Sequence, residues 1–405
     1  MKAVILSVGD EVLSGKVVNT NAAYIAHELE TIGVETIYTI VIGDNKETLV
    51  NELNRFNESE YDLLITTGGL GPTHDDFTKE VIFESLGLKL ELNAEAKLVL
   101  DKYYKGDYAK CNIKQAYFPR ESIIIPNFKG TACGAITDIN NKIYVILVGP
   151  PFEMKPMVKD SVIPYLNQKL NNDLLIKEYQ VMGIGESQAE ELLVGVFNKY
   201  DCVNLAPYAK PYQIRYQITA HEKNKKEFNE ICDEFEKIMD DYIISTNNEK
   251  IEEVVVKKLQ QLNYHISTAE SCTGGMIAST IVNVSGSSSV FNESVVTYSA
   301  SAKQKYLEVK QDTIDKYNVV SDEVVCEMAY GLRKLTGSEV CITVSGVAGP
   351  TGGTVNKPVG LVHFAILVND QIRVYSQVFR GDREMVRVRA TNQCLYELYR
   401  ILKDK

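Results

Sequence analysis

In the stretch Ala269-Glu-Ser-Cys-Thr-Gly-Gly275 a hydroxyl and a thiol, Ser271 and Cys272, stand directly before two glycines. A short apolar run, His265 to Thr268, precedes them, and Ile277 and Ile281 follow at the spacing of one helix face. Both nucleophiles are therefore expected on a strand-to-helix turn. The first N–H groups of a helix have no partner within it and favour negative charge. A nucleophile at that point would have an oxyanion site beside it. Further along, Val295-Val-Thr-Tyr-Ser-Ala-Ser-Ala-Lys303 brings a tyrosine, Tyr298, and a lysine, Lys303. The two stretches read together as one amidohydrolase site, with the rest of the chain as its carrier or partner.

The chain has 405 residues, more than one core usually holds, so two or three domains are expected. An apolar share of 45% and a charged share of 24% are ordinary for globular protein. The formal net charge of −11 argues against broad nucleic-acid or membrane-surface binding, which needs basic faces. Small anionic substrates need only a local cluster of Arg, Lys and helix N-termini, and remain compatible. None of the eight cysteines forms a Cys-x-x-Cys pair, and the five histidines do not gather with them, which disfavours a zinc site. Scattered cysteines, a first strand in place of a signal peptide and no long apolar run together predict free thiols and a cytoplasmic protein, without a membrane span.

Ala3 to Val8 reads as an apolar strand closed by Gly9-Asp10-Glu11. Asn19-Thr20-Asn21 reads as a cap for a helix through Ala22, Ile25, Ala26 and Leu29. A strand from Val34 to Ile42, a helix through Leu49, Leu53 and Phe56, and a strand at Leu63 to Thr67 follow. This alternation predicts a mostly parallel, doubly wound sheet. Its third strand runs into Gly68-Gly-Leu-Gly-Pro-Thr-His-Asp-Asp76, where Gly68, Gly69 and Gly71 let a ligand approach the backbone. The Pro72-Thr73 step is expected to open a helix, and a helix N-terminus suits phosphate. Asp75 and Asp76 are hard oxygen ligands suited to a divalent cation. Asp10, Glu11 and Asp44 are expected at the same edge of the sheet.

These motifs, with Val41-Ile-Gly-Asp44 and Gly149-Pro-Pro-Phe-Glu-Met154, resemble the molybdopterin-binding-like domain of the competence/damage-inducible protein A (CinA) family. The resemblance implies a metal-dependent ADP-ribose pyrophosphatase over residues 1–170. Its divalent metal (magnesium or similar) would sit on Asp10, Asp75 and Asp76, and its substrate on Gly68, Gly69, Gly71 and Thr73. Thr131-Ala-Cys-Gly134 departs from the family, which usually has a proline in that loop. Residues 171–247 read as a small α+β module. It has a polar break at Asn171-Asn-Asp173, a helix from Gln188 to Asn198, an alternating strand from Tyr212 to Thr219 and an amphipathic helix from Lys225 to Asp241. The resemblance implies a KH-like fold there. Its mixed charges favour a spacer or dimerisation role over RNA binding.

Residues 248–405 read as a three-layer α/β domain. Ser321 caps one helix, Cys341 to Ser345 form a buried strand, and a hairpin turns at Asn369-Asp370 before a final helix opened by Gly381-Asp-Arg383. The matching stretches are Ala269 to Gly275, Thr297-Tyr-Ser299 with Lys303, Ser345-Gly-x-Ala-Gly-Pro350, Lys357-Pro-Val-Gly360 and Gly381-Asp-Arg383. They resemble the nicotinamide mononucleotide deamidase domain of the same family. That resemblance implies a Ser271–Lys303 dyad, hydrolysis to nicotinate mononucleotide and ammonia without a cofactor, and a homodimer. The chemistry agrees. Serine needs a base for its proton, no histidine lies in these motifs, and a lysine that is desolvated or beside another cation can be that base. Arg383 and Arg387, one helical turn apart, are candidates for that cation or for clamping the substrate phosphate. Ser288 and Tyr298 are candidates to orient the lysine or bind ribose. The N–H groups of Gly274 and Gly275 are the oxyanion candidates, and Thr273 belongs to the same binding turn. Cys272 stays a rival nucleophile. Glu293-Ser294 replaces the family's usual glycine pair, and Ala300 replaces its usual asparagine. Two other readings stay open: activity in the first domain alone, and a non-catalytic adaptor in competence or DNA damage.

Overall fold

The computed structural model describes every residue except 171, 172, 198, 211 and 404. The polar break expected at Asn171 and Asn172 lies outside the described residues, as does residue 198, and the helix expected at 188–198 runs Glu186–Leu193. The chain divides into two compact units, Met1–Leu174 and Leu175–Lys405.

The first unit is built on a six-stranded sheet ordered Glu35–Ile42, Lys2–Val8, Leu63–Thr67, Lys142–Leu147, Gly134–Ile139 and Ser122–Ile125. The first four strands run parallel and the last two antiparallel. Lys2–Val8 and Leu63–Thr67 are buried along nearly their whole length because helices cover both faces, so their centres are apolar runs, residues 3–6 and 63–65, rather than alternating patterns. Asn19 accepts the Ala22 N–H and starts the helix Thr20–Glu30; Asn45 does the same for Lys46–Asn57 through Thr48. The turns at Gly9, Gly43 and Gly68 therefore gather at the carboxyl edge of the sheet. The helix expected from Pro72-Thr73 begins only at Thr78. Asp76 is the reason: its carboxylate accepts from the Thr73 N–H at 3.1 Å and the Thr73 hydroxyl at 2.6 Å, closing the loop on itself before a helix can start.

The second unit carries two sheets. The smaller is four-stranded, ordered Val203–Lys210, Gln213–His221, Leu174–Val181 and Ile243–Ser245, with the helix Lys225–Met239 packed on it through Phe228, Ile231, Phe235 and Met239. The larger is five-stranded, ordered Phe291–Val296, Ile266–Glu270, Val340–Gly346, Leu361–Val368 and Gln371–Val378. The first three strands are parallel, and the last two antiparallel. Alternation along these strands feeds two cores. Ile342, Val344, Phe364 and Ile366 face the helices Ile251–Leu262, Met276–Val282 and Arg383–Lys403. Cys341, Ala365 and Leu367 face Ala300–Leu307 and Asp322–Thr336. The result is a three-layer α/β architecture. No helix among the described residues is long and apolar enough to cross a membrane.

Candidate active site

Ile266–Glu270 is a central strand, and the chain turns through Ser271 to Gly275 before the helix Met276–Val282. The Ser271 N–H is fixed to the Val344 carbonyl of the neighbouring strand at 3.0 Å. Thr297 leaves the adjacent parallel strand, and its N–H bonds the Glu270 carbonyl at 2.9 Å. Ser299 then caps the helix Ala300–Leu307 through the Ala302 N–H, with Ala300 as its first residue. Lys303 lies one turn into that helix, and its side chain is driven back beneath the sheet edge, where its exposure is 0%. Its ammonium donates to Ser271 Oγ at 3.1 Å, to the Thr297 carbonyl at 2.7 Å and, at 3.5 Å, to the Tyr298 carbonyl.

Burial pulls Lys303 down from 10.5 to about 8. The expected help from a neighbouring arginine is not found. Arg383 donates to the Gly349 carbonyl at 2.9 Å and the Tyr298 hydroxyl at 3.2 Å; Arg387 donates to the Thr273 carbonyl at 2.7 Å. Desolvation, rather than like charge, is the cause. Arg387 nevertheless borders the Ser271 turn, so a phosphate placed there would meet a cation. Tyr298 is exposed; its main-chain carbonyl touches the lysine, while its hydroxyl is turned to Arg383. Thr273 is fully buried, and its hydroxyl has no hydrogen-bond partner. The thiol of Cys272, nearly buried beside Ser271, is pushed up to about 12 by desolvation. So little thiolate exists near neutral pH that the rival nucleophile is disabled by its surroundings.

Two expectations about this turn are corrected. Gly274 donates its N–H to the Ser271 carbonyl at 3.1 Å, and Gly275 donates to Glu270 Oε2 at 2.8 Å. Neither N–H is open to an oxyanion. The acceptor that fills the helix start is Glu270, a residue the sequence reading passed over. Its carboxylate, at 0% exposure, also takes the N–H groups of Ile277 at 3.1 Å and Ala278 at 2.8 Å and the Thr268 hydroxyl at 3.1 Å. Ser294, one of the departures from the family pattern, bonds Thr268 at 2.6 Å and extends this network. A carboxylate closing an apolar strand just before a glycine turn is the signal that pointed to it, because a helix start attracts anions. The second correction concerns Ser288. It lies in the exposed turn Ser287–Ser289, and the Val290 carbonyl accepts from the Ile266 N–H at the opposite end of the strand from Ser271. Parallel pairing carries it a strand's length from Lys303.

Glu270→Ala is expected to cost about 3 kcal/mol or more, since three N–H groups at the helix start lose their acceptor at once. Glu270→Gln should lose less. Denaturant titration of the two variants against the parent checks this order.

In the first unit a cavity of about 630 Å³ opens at the carboxyl edge of the sheet. Gly68, Gly69, Gly71, Asp44, Asp75 and Asp76 line it. Gly68 has a φ of 106°, and a Cβ there would meet the Val8 carbonyl at 2.1 Å. Thr73 is not at the wall; it serves its own loop through Asp76. The metal set expected on Asp10, Asp75 and Asp76 does not assemble. Asp10 accepts the Asp44 N–H at 3.1 Å, and Asp76 closes the Thr73 turn. Among the described residues no group of three or more His, Cys, Asp or Glu could hold a metal ion. The residues present do not fit the implied cation.

The profile described as "CinA C-terminal domain" matches residues 248–402, "Probable molybdopterin binding domain" matches 4–168, and "Damage-inducible protein CinA KH domain" matches 176–244. A "Putative competence-damage inducible protein" of Clostridium novyi (strain NT) is 42% identical over 412 residues, covering 100% of this chain and 99% of the relative. The chain belongs to the CinA family. A "CinA-like protein" of Kosmotoga olearia is likewise 42% identical, covering 96% of each chain. A solved CinA superfamily protein from Klebsiella pneumoniae 700603 is 33% identical with a TM-score of 0.38, over 38% of this chain and 97% of that one. The CinA C-terminal profile thus spans the Ser271 turn, and the molybdopterin-binding-like profile spans the 630 Å³ cavity.

Proposed function

We propose that residues 248–405 hydrolyse the carboxamide of nicotinamide mononucleotide, giving nicotinate mononucleotide and ammonia. The observation that carries this reading is the buried Lys303 ammonium 3.1 Å from Ser271 Oγ, on a lysine whose proton is held at about 8. The family resemblance supplies the substrate. In its neutral form Lys303 takes the Ser271 proton as Oγ adds to the carboxamide carbon. The resulting ammonium gives that proton to the departing nitrogen as the C–N bond breaks, and ammonia leaves. Water then adds to the acyl-serine, with Lys303 again taking and returning a proton, and the carboxylate departs. The oxyanion cannot use the N–H groups of Gly274 or Gly275, so the ammonium beside the attacking oxygen is the nearest positive charge. In this reading Arg387, bonded to the Thr273 carbonyl, takes the substrate phosphate, with Arg383 one helical turn away.

Ammonia release from nicotinamide mononucleotide by the full chain tests this directly; a folded, inactive parent protein would reject the reading. Cys272→Ala is expected to keep activity within about threefold, because the thiol is not ionised. A loss as large as that of Ser271→Ala would move the nucleophile to Cys272.

For the first unit, the cavity and its glycine loop support binding of a phosphate-bearing ligand, for which ADP-ribose is the candidate the resemblance offers. Asp10 and Asp76 already accept backbone N–H groups, of Asp44 and of Thr73. Turnover of ADP-ribose with and without chelator tests that reading.

A further inference from the structure

The 630 Å³ cavity of the first unit has a wall made by neither the glycine loop nor the aspartates. Tyr103 and Tyr104, the last two residues of the helix Ala94–Tyr104, line it. Lys105, at a φ of 54°, ends the helix in the left-handed conformation directly after them. The two rings lie 5.1 Å apart at 74°. Set at that angle, they offer a face and an edge to a third flat ring. Tyr103 is 56% exposed, so much of its ring is uncovered.

Buried side chains hold this wall in place. The Tyr104 hydroxyl accepts from Asn112 Nδ2 at 3.3 Å, and Gln115 Nε2 donates to Thr131 Oγ1 at 3.2 Å; both amide side chains are buried. Thr131 and Gln115 line the same cavity. Because Thr131 Oγ1 accepts from Gln115, its own proton remains to be donated, and no acceptor for it is found among the described residues. Two aromatic rings beside a free hydroxyl donor suit a flat heterocycle with a ring nitrogen.

Charge sorts the rest of the ligand. Among the described residues no Lys, Arg or His lines the cavity, whereas Glu11, Asp44, Asp75, Asp76 and Glu153 do. A phosphate placed there meets backbone N–H groups of the glycine loop but no cationic side chain, and the carboxylates around it repel it. Sugar hydroxyls can donate to those same carboxylates. An uncharged base against the tyrosines escapes the repulsion.

We infer that this cavity selects nucleosides and nucleotides by their base, stacked on Tyr103 and Tyr104 with a ring nitrogen accepting from Thr131 Oγ1, and that the phosphate adds little affinity. The inference rests on the reading of this cavity as a ligand site and names the part of the ligand it recognises. ADP-ribose is then held by its adenosine end.

Calorimetric titration of the full chain, with chelator present, compares adenosine, AMP and ribose 5-phosphate. Adenosine and AMP should bind within about threefold of each other, because no cationic side chain rewards the phosphate. Ribose 5-phosphate should bind about tenfold more weakly than AMP or worse, the contribution of one stacked base. AMP tighter than adenosine by more than that margin, or ribose 5-phosphate equal to AMP, overturns the inference. Tyr103→Ala trims an exposed ring, so its melting curve should match the parent's. It should weaken AMP binding by about tenfold, while Tyr103→Phe keeps the parental affinity. Parental affinity in Tyr103→Ala, or equal losses in the two variants, overturns the inference. No binding of ADP-ribose, AMP or adenosine at millimolar concentration would reject the cavity as a ligand site and the inference with it; binding without preference for the base rejects the inference alone.

Discussion

Ser271→Ala should lower ammonia release from nicotinamide mononucleotide by about a thousandfold or more while leaving the fold intact. The side chain is small and only 8% exposed, and its Oγ is bonded by Lys303 rather than used to hold the turn. The turn itself is fixed by main-chain bonds, Ser271 N–H to Val344 and Gly274 N–H to Ser271, and by Glu270 below it. The variant therefore removes the nucleophile without removing its support. Steady-state kinetics with an ammonia-coupled assay, alongside a melting curve, checks both halves. A residual rate close to that of the parent would exclude Ser271 as the attacking group.

Lys303→Met should abolish activity to a similar degree and at the same time stabilise the protein near pH 7. A lysine held at about 8 in the fold and 10.5 when unfolded is harder to protonate in the native state. Below pH 8 that difference costs the fold at most roughly 3 kcal/mol. Methionine has a similar shape and no charge to desolvate, but it leaves the Thr297 carbonyl without its donor, which returns about 1 kcal/mol of the gain. A net stabilisation of about 1–2 kcal/mol at pH 7 is expected. Between pH 8 and pH 10.5 the unfolded lysine carries more proton than the folded one, so parental stability rises with pH and the advantage of methionine shrinks. Denaturation of the two proteins across that window measures it. The same titration governs catalysis: the parent rate should climb about tenfold per pH unit below pH 8 and level off above it. A rate independent of pH from 6.5 to 9.5 would remove Lys303 from the role of base.

Much of this was legible in the residues. Apolar runs and caps marked the strand-to-helix alternation, because burial on both sheet faces puts apolar residues at successive positions, as in residues 63–65 and 340–342. Asn19 and Ser321 announced their helices by side chains that accept from the first turn. The motif around Ser271 and the separated Lys303 carried the family resemblance, and that resemblance implied the pairing of the two residues.

What lay beyond the sequence was decided by which neighbour reached a group first. Gly274 and Gly275 looked like free donors until the fold placed the Ser271 carbonyl and the Glu270 carboxylate against them. Asp10 and Asp76 looked like metal ligands until the fold turned a backbone N–H onto each, of Asp44 and of Thr73. Ser288 stands close to the site in the chain but at the wrong end of a parallel strand, a matter of sheet direction that spacing does not encode. The lysine's lowered proton affinity was expected from a neighbouring arginine or from burial, and only tertiary packing assigned it to burial. Residue type sets which chemistry is available; desolvation and hydrogen-bond competition, which exist only once distant segments meet, set which groups are free to perform it.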